Sequence, residues 1–387
     1  MDADAALRRI GYVNLPAQFE EERAEILRAV EGVFRRGDFI GGEAVGKLEA
    51  ELSAYLGAPQ VGTSHVGTPQ VGTPHVVTLN SGTDALILAM KALDIGAGDE
   101  VITPPNSFVA STAAIIAVGA TPVFADVLPD QNIDPAAVEA AVTPRTRAIM
   151  PVHLTGRMAD MTPLMAIARK HSLAVIEDSA QAVGSTFDGR MCGTIGTFGC
   201  FSAHPLKNLN AAGDAGFVVT ADAGLAARIR RLRNHGLINR SDVEEWGTVS
   251  RLDTLQAEVL RIRLRHLPSV IERRRRNAAH YRDALAGLPI FIPSCRNIEF
   301  NTFHTFVVQT DRRDDLQKFL AGKGIETAIH YPVPIHLQAA AAHLGHSRGD
   351  FPVTERQAGR ILTLPVNQFL SDADIDYICE GVREFFA

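Results

Sequence analysis

Between residues 76 and 220, short apolar runs alternate with longer stretches whose apolar residues recur at helical spacing, and this alternation limits the fold more than any other feature. The pattern predicts strands over 76–79, 100–103, 122–125, 148–152 and 174–176. Helices are predicted between them, over 85–93, 111–118, 134–141 and 161–171. Strands joined through a helix run parallel, because the crossover returns the chain to the same end of the sheet. Two further strands are read at 198–202 and 216–220. The expected fold class is therefore α/β, with a mostly parallel central sheet flanked by helices. Ligands in such sheets bind beyond the carboxyl ends of the strands.

The flanking segments complete this outline. A helix over about 20–35 precedes the alternating region and a helical stretch over about 252–285 follows it. Strands such as 302–308, with flanking helices, come next, so a smaller C-terminal α/β domain over 267–387 is expected beside a large domain over 1–266. Residues 61–75 hold three near-copies of a five-residue unit, Val-Gly-Thr followed by Ser-His, Pro-Gln or Pro-His, which reads as a surface insertion loop.

Composition excludes several classes. A formal net charge of −6 gives no basic surplus for nucleic acid, and the Arg-rich run at 273–276 reads as the solvated face of a helix. No apolar run reaches the length of a membrane span, and the N-terminus lacks a signal-like apolar core. The four cysteines have no paired spacing, and no metal-ligand set accompanies His65 and His75. These features predict a soluble, cytoplasmic protein with no metal site.

The residues that follow the strands suggest the chemistry. Asn80-Ser-Gly-Thr-Asp-Ala85 gives a tight turn and a helix start whose N–H groups suit an anion, although the same residues make an ordinary helix cap. Glu177-Asp-Ser-Ala-Gln181 places acids at the end of another strand, where a carboxylate can hold a pyridine nitrogen protonated. Phe108 follows the 100–103 strand and can lie on a flat ring. Lys207 sits in a run of small residues between the 198–202 and 216–220 strands. A loop lysine is most often a solvated charge, but a buried one suits Schiff-base chemistry. An anion cradle, a ring platform, an acid and a lysine in this order describe a site for pyridoxal 5′-phosphate (PLP).

These segments, together with Gly37-Asp-Phe-Ile-Gly-Gly42, Gly119-Ala-Thr-Pro-Val-Phe124, Pro151-Val-His-Leu154, Gly213-Asp-Ala-Gly216, Ser250-Arg-Leu-Asp253 and His330-Tyr-Pro-Val-Pro-Ile-His336, resemble the DegT/StrS family of PLP-dependent sugar aminotransferases over nearly the whole chain. The resemblance implies a fold type I PLP-transferase that is a homodimer with sites between subunits. It implies that Lys207 carries the cofactor as a Schiff base and then moves the proton, and that Asp178 pairs with the pyridine nitrogen. Gln181 is implied at the phenolic oxygen, Gly82, Thr83 and Ser202 at the phosphate, and Phe108 over the ring. His204, His330, Tyr331 and His336 are the candidates for contact with substrate.

The implied reaction takes an amino group, from L-glutamate by expectation, to a nucleotide-linked keto sugar, with a ketocyclitol as the alternative acceptor. Two rivals on the same scaffold are a sugar dehydratase, in which histidine replaces the lysine, and a binding or regulatory protein without chemistry. Lys207 speaks against the first, and Lys207 with Asp178 against the second. One departure stands out: Val249 occupies the position where the family usually has an asparagine reaching the partner's phosphate, with Ser250 and Asn234 as possible substitutes.

Overall fold

The computed structural model describes residues 8–58 and 73–387. In chain order, α1 is Leu15–Arg36, α2 Glu43–Gly57, β1 His75–Leu79, α3 Gly82–Ala92, β2 Glu100–Thr103, α4 Val109–Ala117 and β3 Thr121–Phe124. Next come α5 Pro135–Ala141, β4 Thr146–Ile149, α6 Met161–His171, β5 Ala174–Asp178, the short pair β6 Thr186–Phe187 and β7 Arg190–Met191, β8 Phe198–Ser202 and β9 Gly216–Thr220. The chain closes with α7 Ala223–Leu232, α8 Thr254–Ala284, β10 Glu299–Phe300, β11 Phe306–Gln309, α9 Arg313–Gly322, α10 Pro352–Ala358, β12 Ile361–Leu364 and α11 Asp372–Phe386.

Seven strands form the central sheet in the order β1-β9-β8-β5-β4-β2-β3. β3, β2, β4, β5 and β8 are parallel, whereas β9 runs antiparallel between β8 and β1. β1 therefore points the same way as the parallel set. The carboxyl ends of β1, β2, β5 and β8 lie on one rim, and the amino end of β9 joins them there. Register confirms this, since Gly216 stands opposite Leu79 on one side and Ser202 on the other.

Each inner strand is apolar on both faces, as a sheet covered by two helical layers requires. Val76, Val175 and Val219 face a core with Leu48, Leu52, Leu164, Leu260 and Leu267, while their neighbours Val77, Ile176 and Val218 face one with Leu88, Met90, Ile115 and Ile229. A separate core gathers β11, β12, α9 and α11 around Phe306, Leu316, Leu364 and Ile378. α8 belongs to both regions: its early residues Leu260 and Leu267 pack in the first core, and Ala278 and Tyr281 in the last. Position 267 thus falls inside a continuous helix.

Several predicted bounds move for local reasons. α3 begins at Gly82 rather than 85, because Ser81 Oγ accepts from the Asp84 N–H at 3.1 Å and caps it. β4 ends at Ile149 before Pro151, although Met150 N still donates to Ile102 O at 2.7 Å. Residues 302–305 are not strand: Phe303 has φ 47°, and Thr302 and Thr305 donate to the Gly156 and Thr155 carbonyls. Of the repeated pentapeptides, residues 61–72 lie outside the described residues. Among those described, no helix is long and apolar enough to cross a membrane.

Candidate active site

Two glycines let the start of α3 press against the sheet rim. A Cβ on Gly82 would sit 2.6 Å from Ser202 Cβ, and one on Gly216 would sit 2.4 Å from the Ser81 carbonyl carbon and oxygen. Only a chain bare at both positions brings the turn this close. Gly82 and Thr83 are the first residues of α3, and their N–H groups have no protein acceptor among the described residues. Together with Ser81 and Ser202 they line a cavity of about 340 Å³. Backbone donors at a helix N-terminus beside a hydroxyl are what a phosphate needs.

β5 delivers two carboxylates with different environments. Glu177 is fully buried on the side away from the cavity; it accepts from the N–H groups of Gly193, Ile195 and Gly196 and from His153 Nε2 at 2.9 Å. Burial raises its carboxyl, but the His153 and backbone hydrogen bonds outweigh that and hold it below the usual range. His153 Nδ1 accepts from Ala159 N at 3.2 Å, so Nε2 carries the proton toward Glu177. Asp178 lines the cavity, with Oδ2 accepting from Ser111 Oγ at 2.7 Å and Oδ1 from Ala180 N at 3.2 Å. Burial pushes its carboxyl up, against the pull of Ser111, the Ala180 N–H and the Lys207 charge. A cationic ring nitrogen is the partner that would return it to full ionisation.

Lys207 enters the cavity from the loop between β8 and β9. Its ammonium has no hydrogen-bond or ion-pair partner among the described residues, and burial lowers it to about 8, with Asp178 only partly opposing. Phe108 and Tyr331 form one wall, with ring centroids 5.6 Å apart. Gln181 Nε2 donates to Tyr331 Oη at 3.4 Å, while its Oε1 accepts from Thr155 N, which fixes the amide's orientation and leaves an N–H for a further acceptor. His330 Nδ1 lies 2.9 Å from Thr363 Oγ1, and burial brings the imidazole down to about 4, so it is neutral at physiological pH.

Lys207, Asp178, Gly82, Thr83, Phe108, Gln181, Ser202, His204, His330 and Tyr331 all line this one cavity. His336 does not. It is buried elsewhere, with Nε2 3.1 Å from Glu355 Oε1 and its ring against Phe351, because the turn carrying it is tied to Pro105 through Ile335 N. Ser250 is also committed within its own chain: it is fully buried and donates to Asn80 Oδ1 at 3.0 Å. Asn234 Oδ1 accepts from Arg251, and Val249 is exposed.

The sequence reading passed over Ser111, His153, Tyr12, Arg274 and His304. Arg274 is the clearest case: the run 273–276 does not form a uniformly solvated face, since Arg274 is buried and Arg275 lies over the Phe300 ring at 3.8 Å. Its spacing from Leu267, Ile271 and Tyr281 places it on the buried stripe, a signal present in the sequence.

Known proteins resemble this chain over nearly its whole length. The chain is 42% identical over 387 residues to the dTDP-3-amino-3,4,6-trideoxy-alpha-D-glucose transaminase of Streptomyces venezuelae, covering 100% of this chain and 98% of that one. It is 43% identical over 378 residues to the UDP-N-acetyl-3-dehydro-alpha-D-glucosamine 3-aminotransferase of Acidithiobacillus ferrooxidans, covering 97% of each. Among solved structures, S. venezuelae DesV in complex with a ketimine intermediate superposes with a TM-score of 0.91 at 43% identity, over 97% of this chain and 98% of that one. Residues 20–383 match a single family throughout, and the chain belongs to it: the DegT/DnrJ/EryC1/StrS aminotransferase family.

Proposed function

We propose that this aminotransferase takes an amino group from L-glutamate and delivers it to a nucleotide-linked keto sugar. One observation carries the reading: a lysine amine without a partner among the described residues shares a cavity with a buried strand-end carboxylate and a helix start whose first N–H groups are free. Those residues fit PLP, the cofactor of this enzyme class. When bound, PLP supplies a carbonyl carbon that condenses with amines and a protonated pyridine ring that accepts electron density.

The chain's own groups divide the remaining work. Gly82, Thr83 and Ser202 hold the phosphate through N–H and hydroxyl donors. Asp178, oriented by Ser111, keeps the ring nitrogen protonated. Gln181, fixed by Thr155 and Tyr331, would offer its free N–H to the phenolic oxygen, and Phe108 would give the ring an aromatic wall. Lys207 would supply the amine that holds the cofactor, and the same amine, when free, would carry the proton to and from the substrate carbon. A lysine tuned to about 8 suits both tasks, because it is readily deprotonated and still basic enough to return the proton.

The nucleotide-linked acceptor is supported by the two transaminases above, whose names specify dTDP- and UDP-linked sugars. The test is transfer of isotope-labelled nitrogen from L-glutamate, read by mass spectrometry with nucleotide-linked keto sugars and a ketocyclitol as parallel acceptors. Label appearing only in the cyclitol product, or in neither, contradicts the proposal. A homodimer completes the reading: Phe34, Phe39, Ile40, Trp246 and Val249 are exposed on the single chain and give a second copy apolar surface to cover. Sedimentation as a monomer at micromolar concentration would exclude it.

A further inference from the structure

Three arginines of the described chain, Arg157, Arg274 and Arg313, are more than nine-tenths buried. Arg157 pairs with Glu299 at 2.8 Å, and Arg313 pairs with Asp314. Arg274, 6% exposed, has no carboxylate within ion-pair distance among the described residues. Its Nε donates to Gln368 Oε1 at 3.2 Å, and its Nη1 to the carbonyls of Phe303 at 3.3 Å and His304 at 3.1 Å. These acceptors are neutral, and Nη2 has no hydrogen-bond partner among the described residues. A buried cation left in that state is costly unless an anion comes to it.

Arg274 lines the cavity that holds Lys207. On the same lining, the Tyr12 hydroxyl has no hydrogen-bond partner among the described residues, and it lies close enough for the Arg274 charge to act on it. A guanidinium edge and a phenol O–H together offer donors to the two oxygens of a carboxylate. Three anionic groups visit such a site. The cofactor phosphate has its own donors at the start of α3. A sugar diphosphate is large and hydrated, and meets the exposed lining at Phe108, His204 and Leu206 first. The carboxylate of an amino acid is small enough for the buried lining, and its amine must reach Lys207 in the same cavity.

We infer that Arg274, assisted by Tyr12, is the receptor for a carboxylate of the amino-acid donor. The inference rests on the aminotransferase reading above. Donor choice then resides in α8 and the N-terminal segment, while sugar choice resides at the exposed mouth.

The test is a spectral titration of the holoenzyme with L-glutamate, for the native protein, R274Q, R274K and Y12F. R274Q raises the half-saturating glutamate concentration roughly 10- to 100-fold, the loss expected for one charged hydrogen-bonded contact. R274K recovers part of it, and Y12F shows a smaller rise. The reaction of the aminated holoenzyme with keto sugar loses at least tenfold less than the glutamate step. Glutarate, a dicarboxylate without an amine, competes with glutamate in the native protein and ceases to compete in R274Q. If the native protein responds to glutamate and R274Q responds at the same concentration, the assignment is overturned. Equal losses in both half-reactions, with a lowered melting temperature, overturn it too, since Arg274 would then only staple the 303–304 backbone. A native holoenzyme that ignores every amino acid defeats the aminotransferase reading itself, and this inference with it.

Discussion

Gly216→Ala tests whether the cradle is built by backbone contact. Gly216 opens β9, paired on both sides, and its φ lies outside the left-handed region, so alanine brings no backbone strain there. It brings a collision. The new Cβ would lie 2.4 Å from the Ser81 carbonyl carbon and oxygen and 2.6 Å from Gly82 N, against roughly 3.5–4.0 Å for ordinary contact. The shortfall is about 1 Å, and the neighbours are backbone atoms that cannot rotate away. A strand paired on both edges yields less readily than a turn, so the turn at Ser81–Gly82 moves. Overpacking of this size costs about 1–3 kcal/mol, and about 1.4 kcal/mol is tenfold in affinity. PLP affinity therefore falls roughly 10- to 100-fold, read by absorbance titration of apoprotein whose circular dichroism shows it folded. Gly46→Ala, in α2 with nothing within 4 Å of the added methyl, keeps native affinity. Native PLP affinity in G216A would refute the contact argument.

The other perturbations act on the two ionisable groups. Asp178→Asn keeps the shape and the Ser111 contact but removes the charge, so the glutamate half-reaction slows by about 10- to 100-fold, the worth of one buried charge-assisted hydrogen bond; stopped-flow rates within twofold of native would contradict this. Lys207 at about 8 means the neutral amine rises from about a tenth of the population at pH 7 to about nine-tenths at pH 9. PLP uptake by the apoprotein therefore accelerates with pH and levels off above about 8; a flat profile, or an inflection at the ordinary 10.5, rejects the tuning. The sign for stability follows the same shift. The folded value is below the unfolded one, so the unfolded chain holds the proton more tightly between about 8 and 10.5, and this group's contribution grows as pH rises through that window.

The sheet and its rim were legible because β strands write their faces and ends into the sequence. Apolar runs stop where Asn80, the Glu177–Asp178 pair and Ser202 begin, and polar groups at strand ends are what a ligand site requires. What the pattern could not carry was direction across loops. His336 lies six residues from His330, yet one lines the cavity and the other is buried against Phe351, a difference set by where the intervening turn is anchored. The irregular backbone at 302–305 depends on a left-handed Phe303, which alternation of residue types does not encode. Arg274 was hidden by its neighbours: a run of like charges resembles a solvated face, and only its phase relative to Leu267, Ile271 and Tyr281 reveals burial. The Glu177–His153 pair escaped notice because it joins two strand ends 24 residues apart.

The central claim is that Lys207 is the amine that holds the cofactor. Reduction of the PLP-loaded protein with borohydride, followed by peptide mass mapping, examines it directly. The account predicts a pyridoxyl group fixed on the peptide containing Lys207, absent when L-glutamate is added before the reductant and absent in Lys207→Ala. A label on any other lysine, or a Lys207 label that glutamate does not remove, would contradict it.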